Sequence, residues 1–271
     1  MKNIICLIIL FIAYTPILKS QTNDEIAISL HYIAKFRITE ENPKMYECEK
    51  VLDIGKTYSV FYDLWNTGRD EARDSVLALG GSFAEVMGAV EDTGYPRSKQ
   101  HYMVYKNVPV RGKLTYTDKI FKVFKYEEDM ECPKWEILDG DSIIYDYKCQ
   151  KAQTKFRGRT WTVWFTPEIP ISDGPWKLYG LPGVILKAND SAGAFSFDCI
   201  GIKKGNGKKM KRLKGRFINC SRKKLNELII EDHKDPYSIF NRLGIKVGPG
   251  YTPDGKLIVY EEEHAILLEL E

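Results

Sequence analysis

The chain has 271 residues, of which 44% are hydrophobic and 28% charged, with a formal net charge of +3. That balance excludes a disordered chain and leaves either one large domain or two small ones, while so small a charge selects no partner. Aromatic residues make up 12% and cluster in alternating segments (Tyr58 and Tyr62, Tyr102 and Tyr105, Phe121 and Phe124, Tyr145 and Tyr147), which favours sheet, where rings pack well on a pleated face.

Lys2, the apolar run Ile4 to Ala13, and Ser20 before Gln21 predict a cleaved secretory signal peptide over residues 1–20, leaving 21–271 as a single β-rich domain. The run is too short to cross a bilayer and is interrupted by Tyr14, Thr15 and Pro16. No later segment is apolar enough to span, so the expected location is the periplasm, in solution or associated with the outer membrane. Removing Cys6 leaves Cys48, Cys132, Cys149, Cys199 and Cys220, an odd number, in a compartment where disulfides persist. Strand phase puts Cys149 with Tyr145 and Tyr147, and Cys199 with Phe195 and Phe197. Both are expected to face the core, as a disulfide candidate or as two buried free thiols.

In chain order, Ile26 to Tyr32 alternates as a first strand, and Cys48 to Ile54 and Lys56 to Tyr62 form a hairpin around Gly55. Arg69 to Leu79 reads as a helix stopped by Gly80-Gly81, with a short helical turn over Phe83 to Met87. From Gln100 to Gln150 a meander of strands is predicted: 101–106, 113–117, 120–126, 135–138 and 142–150, with Asp139-Gly140 as a hairpin turn. Thr160 to Thr166 alternates again. Pro167, Pro170, Pro175 and Pro182, interspersed with Gly174, Gly180 and Gly183, then rule out regular structure and give a stiff, shaped loop. A hairpin over Val184 to Ile202 follows, turning at Asn189 to Gly193. Residues 203–216 hold eight basic residues in fourteen, read as a basic hairpin turning at Gly205-Asn206-Gly207 and balanced by Glu127 to Asp129 and Glu261 to Glu263. Ser221 caps a helix, Asp235-Pro236 starts another, and Pro253-Asp254-Gly255 turns into a terminal strand.

Ile169-Pro170-Ile171-Ser172-Asp173-Gly174-Pro175 followed by Gly180-Leu181-Pro182-Gly183-Val184-Ile185 resembles the GLPGLI family of Gram-negative envelope proteins, with Val184 where the family has Leu. Cys149 to Ala152 and Phe156 to Arg159 resemble the family's pattern upstream of the motif, whereas the end, Ala265 to Leu270, departs from its Asn-Pro-x-Glu finish. The resemblance implies an envelope location and points to the motif loop as a candidate binding surface: Asp173, Gly174, Pro175, Trp176, Tyr179, Gly180, Leu181, Pro182, Gly183, Val184 and Ile185. It implies no reaction, because the family has no established biochemical activity.

Chemistry is sparse. The four histidines (31, 101, 233, 264) lack ligand spacing, so no metal site or cofactor is expected. No Gly-x-Ser-x-Gly elbow occurs, and Asp139 and Asp190 sit in turn sequences, so no catalytic residue is assigned. Export argues against nucleic acid as the partner of the basic run. The expected fold is mainly β (α+β): a curved antiparallel sheet or half-barrel with a few covering helices, similar at fold level to periplasmic lipoprotein carriers. The expected function is a non-enzymatic envelope module that binds an apolar ligand, a peptide or an outer-membrane partner. Exposed Trp176 and Tyr179 would mark the loop as its contact surface. The alternatives are a hydrolase using carboxylates or a free cysteine, which requires a polar cleft with shifted ionisations, and a structural envelope component.

Overall fold

The computed structural model describes residues 24–205, 207–235, 244, 248, 250–257 and 263–270. The signal segment, the Asn206 turn, the helix expected after Asp235 and most of the terminal strand lie outside the described residues. Twelve strands and three helices are present among the described residues: β1 (Ile28–Phe36), β2 (Tyr46–Ile54), β3 (Ser59–Asp63), α1 (Leu64–Ala78), α2 (Phe83–Asp92), β4 (Met103–Lys106), β5 (Lys113–Lys119), β6 (Val123–Asp129), β7 (Glu136–Ile144), β8 (Tyr147–Phe156), β9 (Arg159–Thr166), β10 (Val184–Asp190), β11 (Phe195–Lys204), β12 (Ile218–Asn219) and α3 (Arg222–Lys234).

All strands join one open sheet in the order β12-β6-β5-β4-β3-β2-β1-β11-β10-β9-β8-β7. Every ladder is antiparallel except the short pairing of β12 with β6. The period of two sorts the residues by face: Leu30, Tyr32 and Ala34 of β1 and Cys48, Lys50 and Leu52 of β2 face inward, and Val51, Val60 and Tyr62 face outward. The sheet curls around its inner face. Phe61 on β3 and Phe197 on β11 are three strand spacings apart, about 14 Å on a flat sheet, yet their rings lie 5.7 Å apart. Contacts of this kind run unbroken from Tyr126 through Tyr116, Tyr102, Phe61, Phe197, Trp161 and Trp176 to Phe156, with centroids 5.0–6.3 Å apart. This aromatic row forms the backbone of a half-barrel core.

Several expected boundaries shift for identifiable reasons. Asp139-Gly140 does not turn the chain; it is a bulge inside β7, where the register slips between Leu138 and Asp141 and Gly140 takes φ 127°. The hairpin turns instead at Tyr145-Asp146, both left-handed at φ 54° and 64°, the geometry of a two-residue turn. Helix α1 begins at Leu64 rather than Arg69, because Asp63 at the end of β3 caps it by accepting from the Asn66 amide at 2.8 Å. α2 runs on to Asp92 from a Ser82–Glu85 capping box. Ser221 caps α3 as expected.

The basic segment is no free hairpin. It returns along Asp24–Ala27 through bonds from Ile26 N to Lys208 O and from Met210 N to Asp24 O. It then crosses the outer face, where Met210 and Leu213 complete a small cluster with Val51, Tyr58, Val60, Tyr62, Tyr105 and Val108. Tyr58 and Tyr105 hydroxyls donate to the carbonyls of Lys211 and Arg212. Lys209 and Lys211 pair with Glu25 and Glu71, not with the acidic runs expected from sequence.

Candidate functional site

The loop between β9 and β10 folds inward and plugs the half-barrel. Asp173, Gly174, Pro175, Trp176, Leu181, Gly183, Val184 and Ile185 are buried, Tyr179 is half-buried, and Gly180 and Pro182 are exposed. Trp176 has no exposed surface and packs its ring 5.5 Å from Trp161. The motif glycines answer a packing demand. A Cβ at Gly174 would meet Ile185 Cβ at 2.8 Å and the Leu178 carbonyl at 2.9 Å, and one at Gly183 would overlap the Thr166 backbone. Two buried lysines anchor the plug. Lys106 on β4 donates to the Asp173 carboxylate and to the Gly174 carbonyl at 2.6 Å. Lys177 reaches Glu128 at 2.5 Å, Tyr126 at 2.8 Å and Glu269 at 2.7 Å. Burial pulls the Lys106 ammonium below its ordinary range, and the Asp173 charge opposes that. Neither lysine stands out in the sequence, except as a cation at an inward-facing strand or loop position among apolar neighbours.

Beside the plug lies a cavity of about 130 Å³. Its floor is the tyrosine row of β4–β6, with Tyr102 and Tyr126 each stacked on Tyr116. Its roof is α3, through Leu225, Asn226 and Ile229, together with the C-terminal segment 265–269. Three of its lining residues each carry a buried polar atom that lacks a hydrogen-bond partner among the described residues: the Tyr102 hydroxyl, Gln100 Oε1 and Arg37 Nε. Two titratable groups join them. Burial pushes the Asp118 carboxyl up to about 6, against the Lys119 amide that it accepts at 2.8 Å. Burial lowers His101, whose Nδ1 lies 3.1 Å from Asn66 Nδ2. Asn66 Oδ1 accepts from Ser98 N, and its amide nitrogen donates to the Ser98 and Gln100 carbonyls. The wall therefore offers donors and acceptors together, over an aromatic floor.

The disulfide candidate is corrected. Cys149 and Cys199 are free and buried. Each thiol donates to a carbonyl two residues away on its own strand, Tyr147 and Gly201, and burial pushes Cys199 up to about 11 and raises Cys149. Thiols held protonated in this way are poor partners for disulfide exchange. Cys132 is exposed beside Gly180. Among the described residues no group of three His, Cys, Asp or Glu could hold a metal ion, and no helix is long and apolar enough to cross a membrane.

The fold and cavity define a plugged, open β half-barrel with a small polar inner site. Residues 156–187, which include β9, the plug and the start of β10, match a family described as "Protein of unknown function (Porph_ging)". No curated protein matches the chain. Two solved structures of PNGF-II, in different space groups, are similar at TM-scores of 0.47 and 0.48 with 12% and 11% identity, covering 78% and 76% of this chain. The chain spans about 34% of the length of PNGF-II in either case.

Proposed function

We propose that this is a GLPGLI-type protein of the cell envelope, exported by its N-terminal segment, and that it acts as a non-catalytic binding module with its ligand site in the inner cavity rather than on the motif loop. The observation that carries the reading is that three residues lining one cavity, Tyr102, Gln100 and Arg37, each carry a buried polar atom without a hydrogen-bond partner among the described residues. Buried polar groups are nearly always paired, and three such residues around one cavity support a ligand that pairs them when it enters. The motif loop serves this site from beneath, by filling the half-barrel and holding β4–β6 in place through Lys106 and Lys177. At about 130 Å³ the cavity is smaller than the roughly 300–1,000 Å³ of drug-sized pockets. It suits a small uncharged molecule rich in hydroxyl or amide groups, or one such group of a larger partner, better than the apolar ligand expected from sequence.

Native mass spectrometry of the mature protein purified from its own envelope tests this. Wild type should carry a small adduct that Tyr102→Phe loses, whereas bare protein in both preparations would overturn the reading. A second reading, hydrolysis with Asp118 as general acid, is favoured by one observation, the carboxyl pushed up to about 6 by burial in the lining of the cavity. It requires turnover of the co-purified ligand that Asp118→Asn abolishes.

A further inference from the structure

On the outer face, opposite the tyrosine cavity, the end of β11 and the basic segment that follows it enclose a pocket of about 520 Å³ with the ends of β1 and β2. Five lysines belong to its lining: Lys203, Lys204, Lys208, Lys209 and Lys211. Among the described residues the only carboxylates in its wall, Asp53 and Glu71, are already occupied. Asp53 is buried and accepts from the Ser29 and Tyr62 hydroxyls, and Glu71 is held by Lys211. Lys209 is neutralised by Glu25 at 2.7 Å. Lys203 and Lys204, exposed at the end of β11, form no ion pair among the described residues, and the β1 ladder fixes them opposite Ser29 and Ile28. The fold thus gathers charges that are only a run in sequence around one concavity and leaves two of them uncompensated.

We infer that this pocket binds a phosphate-bearing anion, either a free phosphorylated molecule or a lipid phosphate headgroup. The lining cations are all lysines, compact point charges with three donors each, which suit a tetrahedral, multiply charged anion. Among the described residues no arginine lines the pocket to supply the planar fork that matches a carboxylate. A volume of about 520 Å³ exceeds what one phosphate fills, and Ile26, Val51 and Leu64 give the rest of the molecule an apolar seat.

The test titrates the mature chain with inorganic pyrophosphate, and separately with phosphatidylcholine vesicles with and without phosphatidic acid, at two salt concentrations. Pyrophosphate should bind and weaken with salt. Lys203→Gln/Lys204→Gln should lose about tenfold or more in affinity, and Lys203→Arg/Lys204→Arg should keep most of it. Lys122→Gln/Lys155→Gln removes the same charge from exposed positions elsewhere and should leave binding unchanged. Binding of pyrophosphate without vesicle binding supports a free phosphorylated ligand, and vesicle binding that requires phosphatidic acid supports a headgroup. Absence of binding to either probe, or equal losses in the two Gln double variants, overturns the inference.

Discussion

At the scale of single residues, the inner face holds polar groups in places where a sheet protein of this kind would ordinarily be apolar, and their energetics can be read one at a time. The Tyr102 hydroxyl is buried without a partner, which costs about 1–3 kcal/mol. Tyr102→Phe should therefore raise the urea midpoint of ligand-free protein while abolishing adduct retention; a lower midpoint would mean that the hydroxyl is satisfied in the fold. Lys177 is the opposite case, a buried cation with Glu128, Glu269 and Tyr126 all around it. Lys177→Met should cost about 3–5 kcal/mol by leaving the buried Glu269 carboxylate with only the Tyr126 hydroxyl and Arg222 at 3.7 Å, and adding Glu269→Gln should recover part of the loss in a double-mutant cycle. Asp118 gives a pH signature. Its folded pKa, about 6, lies above the ordinary 3.8, so between these values the folded state binds more protons than the unfolded one. Stability should fall as pH rises from about 4 to 6 and then level off, and subtracting the Asp118→Asn profile isolates that step from the opposing contribution of His101.

At the scale of elements, the motif loop is the part of the molecule with least freedom to change. Gly183 touches the Thr166 backbone, which cannot yield as a side-chain tip can. Gly183→Ala should cost about 3 kcal/mol, and thermal unfolding that shows no loss would mean the loop is not seated as described. The turns show what a sequence does and does not reveal about local geometry. Asn189 to Gly193 turns where its composition says, since Gly193 takes φ 68°. Asp139-Gly140 reads as a turn because glycine at positive φ serves a bulge as readily as a two-residue turn, whereas Tyr145-Asp146 carries no glycine to mark it, and Tyr145 sits at positive φ with its hydroxyl tied to the Ile200 carbonyl. Likewise Asp63 reads equally as a strand end and as a helix cap, and only the Asn66 bond decides between them.

At the scale of the whole molecule, the C-terminal segment ties together parts of the sheet that are far apart in sequence. Ile266 N bonds Ile38 O, the Leu267 carbonyl accepts from Arg159, the Glu269 carbonyl accepts from Asn226 on α3, and Leu270 N bonds Arg157 O. Deleting residues from 263 onward should destabilise more than Glu269→Gln alone, because Arg159 loses its carbonyl partner and the cavity its roof. Hydrogen exchange should quicken selectively in α3, whose Leu225 and Leu228 rest on the same core. Exchange that quickens uniformly instead would show that the segment supports the sheet as a whole and not the cavity.

The sequence by itself determined the alternation that makes the strands, the cap that starts α3, and the proline- and glycine-rich interruption after Thr166, since each depends on neighbours within a few residues. Tertiary structure alone decided that the middle of this interruption, residues 173–178, is a buried plug. The plug is held by a sheet curled tightly enough for β4 and β6 to reach it at Lys106 and Tyr126, and curl is a property of twelve strands together. The same holds for both candidate sites. Tyr102, Asp118 and His101 meet α3 across more than a hundred residues, and a run of lysines becomes a pocket only when it folds back on β1 and β2. Side-chain chemistry is local, but the convergence of several side chains on one cavity is long-range, and no spacing in the chain encodes it.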